Sequence, residues 1–195
     1  MSRARIRNAQ KRRAHMDNVR NPPTHMRRLP LNFAYRNGVL LGGPYRKAPL
    51  HTNALLVKLA AELREPCDVS VDTVDFGVPD EAQFRRALYR AAARLLKGGT
   101  VAVGCGYGVG RTGTFLAALY KLHRDILYYA GLSRTVGDDA VYDPVLEVRE
   151  AYFVGAVETK DQVDFVRRLD LTWMARWFAF RLNPRCVFDK RFWQW

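Results

Sequence analysis

The sequence predicts an α/β layer fold: a central, largely parallel sheet with a hairpin at one edge, flanked by helices. Three observations carry that expectation. Short apolar runs of strand character alternate with segments of helical periodicity. One run, "TVAVG" (100–104), is continuously apolar, as in a strand covered on both faces. Further upstream, "LNFAYRNGVLLGG" (31–43) sets two β-rich runs around Asn37-Gly38, the strongest short hairpin signal. A length of 195 residues, 48% of them hydrophobic, suits one domain with an ordinary core.

The elements follow in order. After the hairpin, residues 50–64 place Leu55, Leu59 and Leu63 on one helical face. "CDVSVDTV" (67–74) alternates as a strand does, with Val69, Val71 and Val74 as its buried set. Asp80 and Gln83 then resemble a capping box. The helix they open carries Phe84, Leu88, Ala91 and Leu95 in register and stops at Gly98-Gly99. Beyond "TVAVG" and a glycine-rich loop, a second helix aligns Phe115, Leu119, Leu122 and Ile126. The polar stretch "SRTVGDDAVYDP" precedes a helical segment near 144–152, and a last long helix, about 160–181, aligns Val166, Trp173, Trp177 and Phe180. In the aromatic tail "RCVFDKRFWQW", Trp193 and Trp195 are expected to pack on that helix.

The formal charge of +13 is unevenly placed. Residues 1–28 hold nine Arg or Lys against one acid, Asp17, which leaves 23 basic and 18 acidic residues and a net of only +5 for the rest. Residues 1–30 therefore read as a flexible basic arm ahead of a catalytic-type domain, 31–195. Such an arm suits a polyanion, nucleic acid or anionic lipid, bound by counterion release, or serves simply as a solubilising tail. No run approaches the ~20 apolar residues of a membrane span. The three cysteines, Cys67, Cys105 and Cys186, make no disulfide framework and fit a reducing, cytoplasmic interior. The four histidines show no metal-ligand spacing, so neither metal nor cofactor is expected.

The chemistry concentrates in "VAVGCGYGVGRTG" (101–113). A strand, a glycine-rich loop and a helix make an anion site, because successive backbone N–H groups converge ahead of the positive end of the helix dipole. The loop lacks the Gly-Lys-Ser/Thr of a nucleotide-binding P-loop and the glycine interval of a dinucleotide fingerprint. What it offers is Cys105 and, six positions on, Arg111, with Thr112-Gly113 behind. The intervening Gly106, Tyr107, Gly108, Val109 and Gly110 can wrap a tetrahedral oxyanion while Arg111 chelates two of its oxygens with a planar fork. Converging N–H groups and Arg111 favour a thiolate at Cys105, and the Thr112 hydroxyl can donate to the sulfur. A buried cysteine acting as a small hydrophobe is the plainer alternative.

"CGYGVGRTG" resembles the H-C-x-x-G-x-G-R-S/T-G signature of cysteine-dependent protein tyrosine and dual-specificity phosphatases, with Cys105, Gly108, Gly110, Arg111, Thr112 and Gly113 on matching positions. "VDFGVPD" resembles that family's acid loop, Trp-Pro-Asp-His-Gly-Val-Pro. The resemblance makes Asp75 the general acid, ahead of Asp72 and Asp80, although a plain turn after a strand would use the same residues. "VETKDQVDFV" resembles its glutamine loop, so Gln162 would hold the hydrolytic water and Glu158 stands where many members have another glutamine. The same residues also read as a helix cap, with Thr159 capping. The implied fold is the cysteine-phosphatase fold of the compact, dual-specificity type. The implied activity is hydrolysis of a phosphate monoester, with a phosphorylated protein as substrate and a cysteinyl-phosphate intermediate. Three departures stand out: Gly104 replaces the histidine before the cysteine, Tyr107 replaces a small residue, and Thr73-Val74 replaces Trp-Pro. They leave two other readings, a phospho-ligand-binding pseudophosphatase and a nucleic-acid-binding protein acting on RNA 5′-phosphates.

Overall fold

The structure, a computed structural model, describes residues 20–50, 52–133 and 142–193. Most of the basic arm, most of the polar stretch near 134–141 and Trp195 lie outside the described residues. Five strands form one sheet in the order β1-β2-β5-β3-β4. They are β1 (Arg27–Arg28), β2 (Val39–Pro44), β3 (Ala54–Lys58), β4 (Val69–Ser70) and β5 (Thr100–Cys105). The pairs β2·β5, β3·β5 and β3·β4 are parallel, and only β1 runs antiparallel, against β2. Five α-helices with bounds among the described residues accompany the sheet: α1 (Glu81–Leu96), α2 (Gly110–Tyr129), α3 (Pro144–Ala151), α4 (Lys160–Arg168) and α5 (Thr172–Leu182).

The central position of β5 follows from its composition. Val101, Ala102 and Val103 are fully buried, as a strand with neighbours on both edges and layers on both faces requires. Its C-terminal end therefore opens at the middle of the sheet, where α2 begins. That helix buries Phe115, Leu119, Leu122 and Ile126 as its periodicity demands, and α1 buries Phe84, Leu88, Ala91 and Leu95. Asp80 caps α1 by accepting from the Gln83 N–H at 2.9 Å.

Four expectations are corrected. The edge pair exists, but its turn is not Asn37-Gly38: residues 33–35 form a 3-10 turn that buries Phe33, and β2 pairs back on Arg27–Arg28. Gly38 is needed for close approach instead, since a Cβ there would lie 2.6 Å from the Leu95 carbonyl oxygen. Residues 54–58, read as part of a helix, are strand β3. A short apolar run fits either period, and the slot between β5 and β4 selects the extended form. The strand at Val69 ends at Ser70, so Val71 is buried but Val74 is 68% exposed on the following loop.

The last long helix is two helices. Leu169 and Leu171 are both buried, and two positions two residues apart cannot share one face of a continuous helix. The break sends both inward, with Lys121 donating to the Leu169 carbonyl at 2.6 Å. Consequently α5 buries Met174, Ala175 and Phe178, whereas Trp173, Trp177 and Phe180 face solvent. In the tail, Phe192 is buried and Trp193 is exposed.

Candidate active site

Cys105 is the last residue of β5 and Gly110 the first of α2, so residues 106–109 form the whole connection. Two glycines here have no substitute. Gly108 has φ +76°, and a Cβ on it would lie 2.4 Å from the Gly43 carbonyl carbon of the neighbouring strand. A Cβ on Gly104 would lie 2.6 Å from the Gly43 oxygen and 2.8 Å from the Tyr45 Cα. The histidine that precedes the cysteine in the resembling signature has no room in this packing. That is the physical account of Gly104.

The turn brings its donors onto the sulfur. Cys105 is buried, and its Sγ accepts from the Gly108 N–H at 3.3 Å and from the Thr112 hydroxyl at 3.2 Å. Both bonds stabilise negative charge on sulfur. Behind the loop, the Tyr152 hydroxyl donates to the Gly108 carbonyl; burial raises that phenol's pKa, so it stays protonated as the donor. The Tyr152 carbonyl in turn accepts from Arg27 Nη1 at 3.0 Å, while Arg27 Nη2 donates to the Asn21 and Pro22 carbonyls at 2.9 and 3.3 Å. The end of the basic segment is thus tied to the back of the cysteine loop, and Pro22 reaches the cavity above it.

Arg111 is 4% exposed and meets a partner that the sequence did not announce. Its guanidinium grips Glu62 in a fork, Nη1 to Oε2 at 2.9 Å and Nη2 to Oε1 at 2.7 Å. Hydrogen bonding from Arg111 holds the Glu62 carboxyl below the usual range. Nη1 also donates to the Thr73 carbonyl at 2.9 Å, and Nη2 lies 2.9 Å from Asp75 Oδ1. Nε is buried and has no partner among the described residues. An unpaired buried N–H is costly, and an oxyanion oxygen would satisfy this one.

Asp75 therefore does face the cysteine loop, whereas Asp72 is hydrogen-bonded to Ser70 at 2.6 Å and Asp80 caps α1. Its loop is latched at both ends. Arg111 holds the Thr73 carbonyl, Gln162 Nε2 holds the Gly77 carbonyl at 3.1 Å, and the Thr159 hydroxyl donates to the Phe76 carbonyl at 3.3 Å. Phe76 takes φ +58°, a left-handed conformation that strains a bulky residue.

Gln162 is fully buried and its amide is engaged at both ends. Oε1 accepts from the Glu158 and Thr159 N–H groups at 3.0 and 3.4 Å, and Thr159 caps α4 in a reciprocal capping box. In this conformation Gln162 is a strut for the acid loop, with no free end toward water. Glu158 lines the same cavity as Cys105. A Cβ on Gly110 would lie 2.3 Å from Glu158 Oε2 and 3.1 Å from Gln162 Oε1, so both side chains roof the first residue of α2.

The resulting cavity has a volume of ≈270 Å³, with Cys105 and Arg111 at its floor and Asp75, Phe76, Tyr107 and Glu158 around it. Phe76 and Tyr107 are 59% and 78% exposed, which leaves two aromatic rings at the rim. Val109 and Gly110 complete the wall. Among the described residues, no group of three or more His, Cys, Asp or Glu is placed to hold a metal ion. Glu62, Tyr152 and Arg27 went unnoticed in the sequence, because a carboxylate, a phenol and a guanidinium at such distances in the chain carry no motif.

No family model and no curated protein sequence matches this chain. Among solved structures it is similar to that of Tk-PTP in the active form, with 25% identity and a TM-score of 0.49 over 68% of this chain and 90% of that one. It is also similar to PTPMT1 in complex with PI(5)P, at 19% identity and a TM-score of 0.44 over 75% and 93% of the two chains. A further structure of PTPMT1 aligns at 19% identity and a TM-score of 0.42 over 77% and 95%. What the site can do is read from its own atoms.

Proposed function

We propose that this protein is a cysteine-dependent phosphatase that hydrolyses phosphate monoesters through a cysteinyl-phosphate. The observation that carries this reading is the buried Cys105 sulfur at the end of β5. It holds hydrogen bonds from Gly108 and Thr112, at the N-terminus of a helix whose second residue is a buried arginine.

In the first step the Cys105 thiolate attacks phosphorus, forming the S–P bond as the bond to the leaving oxygen breaks. Loop N–H groups of residues 106–110 and Arg111, through Nε and the Nη2 position now taken by Asp75, receive the equatorial oxygens. Displaced from Nη2, the Asp75 carboxylate takes a proton from solvent as the substrate enters and then gives that proton to the leaving oxygen. In the second step water attacks phosphorus and passes a proton to Asp75. The S–P bond breaks, Thr112 stabilises the departing thiolate, and inorganic phosphate leaves. Glu158 and Gln162, over Gly110, lie where that water is held, and Gln162 takes this part by exchanging its bond to Gly77.

The aromatic rim of Phe76 and Tyr107 suits an aryl phosphate, so a phosphotyrosine-bearing protein in a reducing compartment is the first substrate class to try. The decisive experiment is hydrolysis of p-nitrophenyl phosphate by the reduced protein beside Cys105→Ser and Asp75→Asn. Turnover lost in the serine variant, with a phosphoenzyme trapped on Cys105 in the wild type, supports the reading. Absence of turnover in the reduced wild type overturns it.

A further inference from the structure

All four tryptophans of the chain fall at 173, 177, 193 and 195. The three described ones are exposed, Trp173 by 72%, Trp177 by 40% and Trp193 by 58%. Tryptophan is highly buried on average, so three exposed ones near each other in the chain call for a reason. On α5, Trp173, Trp177 and Phe180 recur at i, i+4 and i+7 and make one stripe opposite the face that buries Ala175 and Phe178. At 100° per residue Arg176 and Arg181 flank this stripe on its two sides. Beyond the helix, 3-10 turns at Pro184–Phe188 and Lys190–Trp193 add Phe188, 89% exposed.

The charge around these rings is mostly positive. Residues 172–193 contain Arg176, Arg181, Arg185, Lys190 and Arg191 against a single acid, Asp189, which is paired with Arg191. Beside α5 lies a recess of ≈380 Å³ bordered by Arg36, Lys97 and Arg181, where the Tyr89 ring stacks on Phe178 with centroids 5.0 Å apart. We propose that this face is a lipid-binding surface that seats α5 and the C-terminal turns in the headgroup layer of an anionic bilayer. Indole and phenyl rings prefer the boundary between headgroups and acyl chains, and interleaved arginines and lysines are drawn to lipid phosphates. The recess then receives one headgroup phosphate among its three cations. From Trp173 to Arg181 the outer positions carry rings and guanidiniums without a carboxylate, amide or hydroxyl. Every polar group there, two guanidiniums and two indole N–H groups, is a donor, the complement of the phosphate oxygens of a headgroup layer. No described helix is long and apolar enough to cross a membrane; in this proposal α5 lies in the plane of the bilayer surface.

The placement of the tryptophans makes the test specific. Full-length protein is mixed with phosphatidylcholine vesicles with and without phosphatidylserine, and with phosphatidylserine vesicles carrying brominated acyl chains. Expected are co-sedimentation with the phosphatidylserine vesicles, a blue shift of tryptophan emission and quenching by the brominated lipid. The variant Trp173→Ser/Trp177→Ser/Phe180→Ser partitions at least about tenfold more weakly while keeping the wild-type thermal melt. Should that variant not fold, the single exposed change Trp173→Ser gives the same reading with a smaller loss. Sedimentation without quenching means that the basic N-terminal residues alone attract the vesicle, and it overturns the proposal, because no tryptophan precedes Trp173. Self-association in the absence of lipid, abolished by the same substitutions, overturns it in favour of a second copy of the chain. None of these readouts depends on phosphatase activity.

Discussion

Two loops face each other across the cavity, and they are held by different physics. The cysteine loop, from Cys105 to Arg111, is fixed by backbone sterics: Gly104 and Gly108 sit where any Cβ would strike β2, and Cys105, Gly110, Arg111 and Thr112 are buried. The acid loop, from Thr73 to Pro79, is exposed at Val74, Phe76 and Val78, and hangs from hydrogen bonds to its carbonyls. A loop locked by excluded volume is pre-organised for charge stabilisation. A loop held by a few exchangeable bonds, each worth about 1 kcal/mol net, is able to open and close.

The contrast is broken most severely at the sulfur. Cys105→Ser should lower kcat by roughly 10⁴-fold with the fold intact, read as initial rates on p-nitrophenyl phosphate beside a thermal melt. Asp75→Asn should cost about 10²- to 10³-fold on that substrate at neutral pH, and less on esters with better leaving groups, since the missing proton matters less there. Equal losses on good and poor leaving groups would remove Asp75 from the acid role.

Gly108→Ala tests the rigid loop. It meets both a left-handed φ and a 2.4 Å contact, so chemical denaturation should show a loss of about 3 kcal/mol, with activity lost in parallel. Thr159→Val tests the mobile one. The substitution removes the latch on Phe76 and, with it, the cap of α4, so it should cost about 1–2 kcal/mol of stability and speed amide exchange across 74–78, with a several-fold change in kcat. If Gly108→Ala proves mild and Thr159→Val unfolds the protein, the assignment of rigid and mobile partners is reversed.

At neutral pH the smallest expected effect lies away from the cavity. His123 packs its ring on Phe33 at 5.2 Å, and burial lowers its pKa to about 4. The folded chain keeps it neutral while the unfolded chain takes a proton below the ordinary histidine pKa of about 6.5. Its contribution is therefore present above that value and lost as pH falls toward 4, by about 3 kcal/mol at most. Asp125, pushed up to about 6 by burial, works in the opposite sense over the same window. Comparing His123→Leu with the wild type, by urea melts at several pH values, isolates the histidine. A pH slope unchanged by the substitution would refute this account.

Much of the fold was legible because long, strongly periodic segments leave little choice. The stripes Phe84-Leu88-Ala91-Leu95 and Phe115-Leu119-Leu122-Ile126 have one amphipathic solution, and both are buried as read. Failures came where local signals fit two structures. Ala54–Lys58 satisfies a strand as well as a helix, and Asn37-Gly38 satisfies a hairpin as well as a tight approach to Leu95. At the site, the cysteine loop could be read because its parts are contiguous. Glu62, which grips Arg111 from 49 residues away, could not.

By itself, then, the sequence determined the strand-loop-helix that carries Cys105 and Arg111, since glycines, nucleophile and fork lie within one short stretch and obey local rules. Tertiary structure decided what surrounds them. It placed Glu62 and Asp75 on the arginine, turned Gln162 into a strut beneath Gly77 and fastened Arg27 behind the loop through Tyr152. It also split the last helix so that the tryptophans face outward. Each of these depends on which distant surfaces meet when the core closes, and burial across the whole chain settles that where no local pattern can.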